Sequence, residues 1–243
     1  MDEKLFSESP KYKRILLKLS GEALGAGNDG IINKKFIYEI ASVVKKCQEH
    51  GVEVAILVGG GNIWRGKLGT EMKRYKADQM GMLATVINSM AIAELFTVKG
   101  VEAVALSSVQ MDAFNEFYTA AHAKDYLNKG TVVVLGGGLG VPYITTDTAA
   151  MLRGIEIGAD AVLMAKNIDG VYSDDPKSGR AGIIKYDEIT YEFMIEKSLH
   201  AIDTTASSLA IDNNMKTYLF ELKAPDNIYK IVMGEKIGTE IHN

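Results

Sequence analysis

Val54-Ala55-Ile56-Leu57-Val58-Gly59-Gly60-Gly61-Asn62-Ile63-Trp64-Arg65-Gly66 is an apolar run that ends in three glycines, and its reading decides the fold. The apolar run, with valines at both ends, fits a strand buried on both faces, as in a parallel sheet. Glycines at its carboxyl end remove every Cβ and permit positive φ, so backbone N–H groups can crowd around a ligand. Ligands of open α/β sheets gather at the carboxyl ends of strands, and glycine loops with inward amides favour anions. Arg65 adds a fork-shaped cation able to close on a phosphate. The plainer alternative is a tight β–α turn that needs glycine only for its shape.

The whole chain supports an α/β reading. Its 243 residues are enough for one large domain with a full core. Apolar residues make up 47% and charged ones 24%, the balance of an ordinary soluble globule. A net charge of −4 gives no electrostatic case for nucleic acid or an anionic membrane, so any phosphate must be held by a local site. The lone Cys47 excludes an intrachain disulfide and a cysteine-built zinc site, which suits a reducing, cytoplasmic setting. Met1 to Lys13 lack the apolar core of a signal peptide, and no apolar run approaches the ~20 residues of a membrane span.

Read in order, residues 1–13 form a loose arm. Ile15-Leu16-Leu17-Lys18-Leu19 is a buried strand with one intruder, ending in Ser20-Gly21-Glu22. A lysine there is commonly edge-facing or snorkelling, but Lys18 precedes a strand end with a Ser-Gly turn, where ligands are held. Ala23 to Ile32 is a loop. Lys34 to His50 carries Phe36, Ile40, Val43, Val44 and Cys47 at helical spacing and stops at Gly51, which makes Cys47 a core residue. Asp78 to Phe96 is a second helical pattern, with Met80, Met82 and Met90 suited to a core or a subunit interface. Asp78 stands at its start, where capping is its ordinary role. Val101–Leu106 reads as a strand, Asp112–Asn128 as a helix, and Thr131–Leu135 as a buried strand running into Gly136-Gly137-Gly138-Leu139-Gly140. Thr145-Thr146-Asp147 opens the next helix. Ala159–Ala165 is a strand, Asp169-Gly170 a turn before Val171-Tyr172, and Ser173 to Gly182 a polar loop. Tyr191–Leu199 and Thr204–Asn213 read as helices, and Thr217–Phe220 and Ile228–Met233 as strands. Strands alternating with helices imply a mostly parallel sheet covered on both faces, with the ends at Lys18–Gly21, Gly59–Gly61 and Gly136–Gly140 facing one crevice.

Gly61 to Leu68 nearly spells a P-loop, but Leu68 stands where a hydroxyl must bind Mg²⁺. Gly138-Leu139-Gly140-Val141-Pro142-Tyr143 lacks the third glycine of a dinucleotide fingerprint. The histidines are scattered, and no catalytic triad or direct side-chain metal cluster is evident.

Lys13-Arg14-Ile15-Leu16-Leu17-Lys18-Leu19-Ser20-Gly21-Glu22-Ala23-Leu24, the Gly59–Gly66 loop, Met80-Gly81-Met82-Leu83-Ala84-Thr85, Thr145-Thr146-Asp147, Asp169-Gly170-Val171-Tyr172 through Asp175-Pro176, and Val232-Met233-Gly234-Glu235-Lys236 together resemble bacterial uridylate (UMP) kinases of the amino acid kinase superfamily. The resemblance runs from about Lys13 to the end. It implies a three-layer αβα sandwich on a central, mostly parallel sheet, with residues 1–243 as one domain. An acceptor-binding part of about 14–150 would be followed by an ATP-binding part of about 151–243. It also implies transfer of the γ-phosphoryl group of ATP, with Mg²⁺, to UMP. Lys18, Arg65, Asp147 and Asp203 would be catalytic, Lys18 bridging the transferring group and the two aspartates orienting it and the metal. ATP would meet Lys18, Leu19, Ser20, Gly21, Gly61 and Arg65, with its adenosine at Asn167 or its neighbour Lys166, Tyr172 and Asp175. UMP would meet Gly60, Asp78 (at the ribose hydroxyls), Leu139, Gly140, Val141, Pro142, Tyr143, Ile144, Thr145 and Thr146.

The chain departs from the family in its acceptor loop, where the usual Thr-Gly-Asn-Pro is Leu139-Gly140-Val141-Pro142. Uracil contacts there must come from the backbone or from Thr145 and Thr146. The resemblance further implies a homohexamer, a cytoplasmic location, and control by UTP (inhibition) and GTP (activation), although Ala93 and Thr97 offer no basic side chain for GTP. Alternatives on the same fold are carbamate- or acetylglutamate-kinase-like enzymes, against which Asp78 and Arg65 favour a nucleotide acceptor, and a non-catalytic nucleotide- or oxyanion-binding protein.

Overall fold

The structure, a computed structural model, describes residues 9–25, 30–65 and 71–243. The first half of the chain runs β1 (Arg14–Leu19), α1 (Gly21–Gly25), α2 (Lys34–Glu49), β2 (Glu53–Val58), α3 (Arg74–Val98), β3 (Ala103–Ser107), β4 (Glu116–Phe117), α4 (Ala120–Asn128) and β5 (Val132–Gly136). The second half runs α5 (Thr146–Ile157), β6 (Ala161–Lys166), β7 (Val171–Tyr172), β8 (Lys185–Tyr186), β9 (Glu188–Thr190), α6 (Tyr191–Glu196), α7 (Thr204–Asp212), β10 (Lys216–Glu221), α8 (Asn227–Val232) and β11 (Thr239–His242).

Nine strands form one sheet in the order β4-β3-β5-β2-β1-β6-β10-β11-β9. The strands from β4 to β10 pair in parallel; β11 turns antiparallel to β10, and β9 runs parallel to β11. Side chains alternate across a strand, which sets the layers. Ile15, Leu17 and Leu19 of β1 join a core with α2, α3 and α8. Leu16 joins a second core, on the other face, with α4, α5, α6 and α7. This is the expected αβα sandwich. The strands β5, β2, β1 and β6 are neighbours in the middle of it, so the carboxyl ends at Leu19, Val58, Gly136 and Lys166 come together on one edge.

Several elements differ from the sequence reading. Only part of the N-terminal arm is described, and that part is docked: Tyr12 is buried with its hydroxyl 2.7 Å from that of Tyr218, and the Lys11 amide donates to Val232 O. Residues 1–8 lie outside the described residues, as do 26–29 of the expected loop and 66–70, which include the last three residues of the rejected P-loop. A short helix, α1, replaces the start of that loop. The helix expected over Asp112–Asn128 starts only at Ala120, capped by Thr119; before it lie a turn and β4, where Phe117 and the following Tyr118 favour extended backbone. Ile228–Met233 is helical rather than a strand, because Ile228, Ile231 and Val232 share one helix face and bury it. The strand that completes the sheet is instead β11, short and half polar. α3 begins at Arg74, a turn before Asp78, so Asp78 is no cap. α3 is also long and apolar enough to cross a membrane by composition, contrary to the reading of the sequence. It is a core helix here, packed on β3 and β5. Cys47 is buried, and burial pushes its thiol up to about 12, as its place in the stripe of α2 requires.

Candidate active site

The period of two along β1 puts Lys18 on the same face as Leu16, under α5. Lys18 pairs in register with Met164 of β6, and Lys166, two residues further along, emerges on that face as well. α5 starts above them: Thr145 caps it, accepting from the Thr148 amide at 3.1 Å, and Asp147 sits in its first turn. Lys18 Nζ lies 3.0 Å from Asp147 Oδ1, and Lys166 Nζ donates to Oδ2 at 2.7 Å and to Ala201 O. All three side chains are largely buried. Burial alone would raise the Asp147 pKa, but the ammoniums of Lys18 and Lys166 outweigh it and hold the carboxyl below its usual value. Lys166 is lowered by burial, which Asp147 only partly offsets, with Lys18 opposing further. Two ammoniums on one carboxylate leave a positive surplus at the amino end of α5, where the helix dipole is also positive. The arrangement calls for an anion.

Asp203 does not pair with Lys18. It caps α7, accepting from the Ala206 amide at 2.9 Å, and it accepts from the hydroxyls of Thr148 (2.8 Å) and Thr145. It therefore ties α7 to the start of α5, and its charge also reaches Lys166, whose pKa it acts to raise.

The two glycine runs need glycine for different reasons. None of Gly59, Gly60 and Gly61 uses the positive φ that glycine permits. A Cβ on Gly60 would meet Ala84 Cβ and Gly81 O of α3 at 2.9 Å, and one on Gly59 would meet Gly21 N at 2.8 Å. Close backbone approach is the reason. In the second run Gly137, Gly138 and Gly140 do take positive φ, and so does Tyr143, at 70°.

A cavity of about 170 Å³ gathers Gly60, Gly61, Asp78, Leu139, Val141, Ile144, Thr145 and Thr146. Gly140, Pro142 and Tyr143 shape the loop but do not line it. The Asp78 carboxylate accepts from the Tyr143 amide at 2.9 Å, so it already anchors the strained residue of the loop. The Thr145 hydroxyl is committed to Asp203 and Thr148, whereas that of Thr146 makes no hydrogen bond among the described residues. A second cavity, of about 540 Å³, is lined by Lys166, Val171, Tyr172, Asp175 and Leu199 to Ala201. The Tyr172 hydroxyl donates to Asp169 at 2.7 Å, and Asp175 caps the turn at Pro176. The lysine–aspartate cluster joins the two: Lys166 lines the larger cavity, and Asp147 follows Thr146 of the smaller.

Leu19 turns its side chain into the core of the opposite face and offers only backbone; Ser20 Oγ accepts from the Ala23 amide. Arg65 is exposed and pairs with Glu22 at 3.0 Å, and Glu22 also accepts from Asn167 at 3.3 Å. Asn167 thus stands beside Glu22 and does not line the larger cavity.

A model of the amino acid kinase family matches residues 13–221. The chain belongs to that family. Among solved structures similar to this one, UMP kinase from Bacillus anthracis is 36% identical, with 95% of this chain and 96% of that one covered and a TM-score of 0.91. UMP kinase from Ureaplasma parvum is 33% identical over 95% and 99% of the two chains, with a TM-score of 0.89. Uridylate kinase from Archaeoglobus fulgidus is 29% identical over 93% and 99%, with a TM-score of 0.72.

The amino acid kinase frame shows what the sequence alone did not. Lys166 joins the charged centre through Asp147 as well as lining the larger cavity, and only the register of β6 against β1 reveals that pairing. Glu22 links Arg65 to Asn167. Asn88, buried on α3 beside the also buried Thr85 and Ser89, donates to Gly59 O at 2.7 Å and fixes the first glycine run; an amide side chain on a buried helical stripe was its sole signal. Among the described residues no three His, Cys, Asp or Glu side chains come together to hold a metal. Asp147 and Asp203 have their oxygens engaged by lysines, threonines and an amide.

Proposed function

We propose that this chain is a UMP kinase: a phosphate oxygen of UMP attacks the γ-phosphorus of ATP, the bond to the β–γ bridging oxygen breaks, and UDP and ADP leave. The observation that carries this reading is the positive surplus of Lys18 and Lys166 on Asp147, set between a smaller cavity with a ribose-type carboxylate and a larger one. Phosphoryl transfer needs positioning and charge neutralisation more than covalent help. Lys18 meets the transferring group, its charge matched to what develops in the transition state. Lys166 supports it, Asp147 holds both ammoniums in place, and Asp203 holds the start of α5. Gly60 and Gly61 let phosphates approach the backbone, and Arg65 leaves Glu22 to close on them. Asp78 reads the ribose of UMP and Thr146 its base, while Tyr172 and Asp175 border the adenosine. Mg²⁺ enters as part of the ATP substrate, where it neutralises phosphate charge. On this reading residues of about 14–150 bind the acceptor and those of about 151–243 bind ATP. The enzyme serves pyrimidine nucleotide synthesis in the cytoplasm as a homohexamer, with UTP and GTP as its candidate effectors.

Coupled ADP release measured with UMP, CMP, dUMP, carbamate and N-acetylglutamate tests the proposal. UMP is expected to support turnover best. Turnover with carbamate or N-acetylglutamate alone would assign another reaction on this fold, and no turnover with any acceptor would point to a binding protein.

A further inference from the structure

We propose that Arg153, acting through Ser108, is a positioning residue for the acceptor loop; the inference deepens the UMP reading and rests on it. Leu139 and Val141 give this loop apolar side chains, so its backbone has to be placed from outside. Three contacts do so: Gly137 N donates to Thr85 Oγ1 at 2.7 Å, Tyr143 N to Asp78, and Ser108 Oγ to Gly138 O at 2.7 Å. The loop lies against Ser108 closely enough that a Cβ on Gly140 would come within 2.7 Å of Ser108 O.

The Ser108 hydroxyl has one proton and could point it elsewhere. Arg153 Nη2 donates to that oxygen at 2.9 Å, and a guanidinium cannot accept. The serine proton is thereby left to Gly138 O, in a charge-assisted chain. Arg153 is only 8% exposed and is fixed in turn: Nη1 donates to Glu156 at 2.5 Å, Tyr118 donates to the same carboxylate oxygen at 2.7 Å, and the guanidinium lies 3.9 Å from the centre of the Tyr118 ring. Its Nε is buried without a partner among the described residues. An unsatisfied buried donor is unfavourable, so packing alone does not account for an arginine here. Aim accounts for it. Arg153 and Asp147 stand on one helix, so α5 sets the acceptor loop with one end and the two lysines with the other.

The test is Ser108→Ala, with Arg153→Met and the double variant. Ser108→Ala is expected to raise the KM for UMP about tenfold, the scale of one charge-assisted hydrogen bond, with kcat and the KM for ATP unchanged. Arg153→Met is expected to do the same, and the double variant no more than either single one, because both act through one bond. A KM for UMP within twofold of wild type in Ser108→Ala, or kcat and both KM values moving together, overturns the proposal. Amide hydrogen exchange without ligand separates it from the UMP reading. Faster exchange across Gly137–Ile144 in Ser108→Ala supports loop positioning even if the wild type does not use UMP, and unchanged exchange there overturns it.

Discussion

Two lysines share one buried carboxylate, and their roles separate by titration and by truncation. Lys18→Ala is expected to lower kcat roughly a hundredfold or more, the range for one lost electrostatic stabiliser, while UMP binding and the melting temperature stay near wild type; near-normal kcat removes Lys18 from the chemistry. Lys166 differs because burial lowers its pKa from the ordinary lysine value. Between the lowered and the ordinary value the folded chain binds fewer protons than the unfolded one. This group's contribution to stability therefore rises with pH across that window. Activity runs the other way, since the ammonium is needed. The alkaline limb of kcat/KM is expected to start below pH 10.5, and Lys166→Arg, which cannot deprotonate, is expected to shift it upward. A limb that ignores this substitution belongs to another group.

At the scale of elements, the acceptor side is made by α3, the loop after β5 and the start of α5. Because α3 starts at Arg74, Asp78→Asn does not test a cap. Its two remaining roles are an anchor for Tyr143 and a reader of the ribose. Ribose reading predicts a higher KM for UMP and a narrower preference over dUMP; an anchor alone raises both KM values by the same factor. KM values for the two nucleotides, measured side by side, decide. Thr146→Val is expected to weaken UMP use by about 1–3 kcal/mol, the range for leaving a buried polar partner unpaired. An unchanged kcat/KM for UMP, and an unchanged ratio over CMP, would move the base elsewhere. How far these elements could be read from sequence follows from their burial. The central strands β1, β2, β5 and β6 are mostly apolar runs because both faces are covered, and the glycines that follow β2 and β5 stood out against those runs. β9 and β11 are too short to carry a period, and Ile228–Met233 is too short to tell a strand from a buried helix. The partners of Lys166 and Asp203 were not legible for a different reason. Which groups a side chain meets depends on register between strands and on helix caps, neither of which is written in local sequence.

At the scale of the molecule, α3 has two apolar faces, and only one is covered by the sheet. Ala84, Asn88, Ile92 and Phe96 are buried. Met80, Leu83, Ile87 and Met90 follow one another at helical spacing and remain exposed, and Phe114 and Phe117 stand exposed beyond them in and beside β4. Single exposed apolar residues need no explanation, but a stripe of four on one helix is a surface that water covers poorly. Burying a side chain of this size is worth about 1.5–3 kcal/mol, enough for a few of them to decide association. The proposed homohexamer gives the stripe a partner, a second copy of the same helix face, since two-fold contacts are self-complementary. Ile87→Lys is therefore expected to shift the chain to smaller species in light scattering coupled to size exclusion. The lysine–aspartate cluster is on the other side of the sheet, so the fold and ATP binding should persist in the variant. A wild type that is monomeric at micromolar concentration would leave the stripe without this partner, and an Ile87→Lys protein of unchanged mass would place the subunit contact on another face.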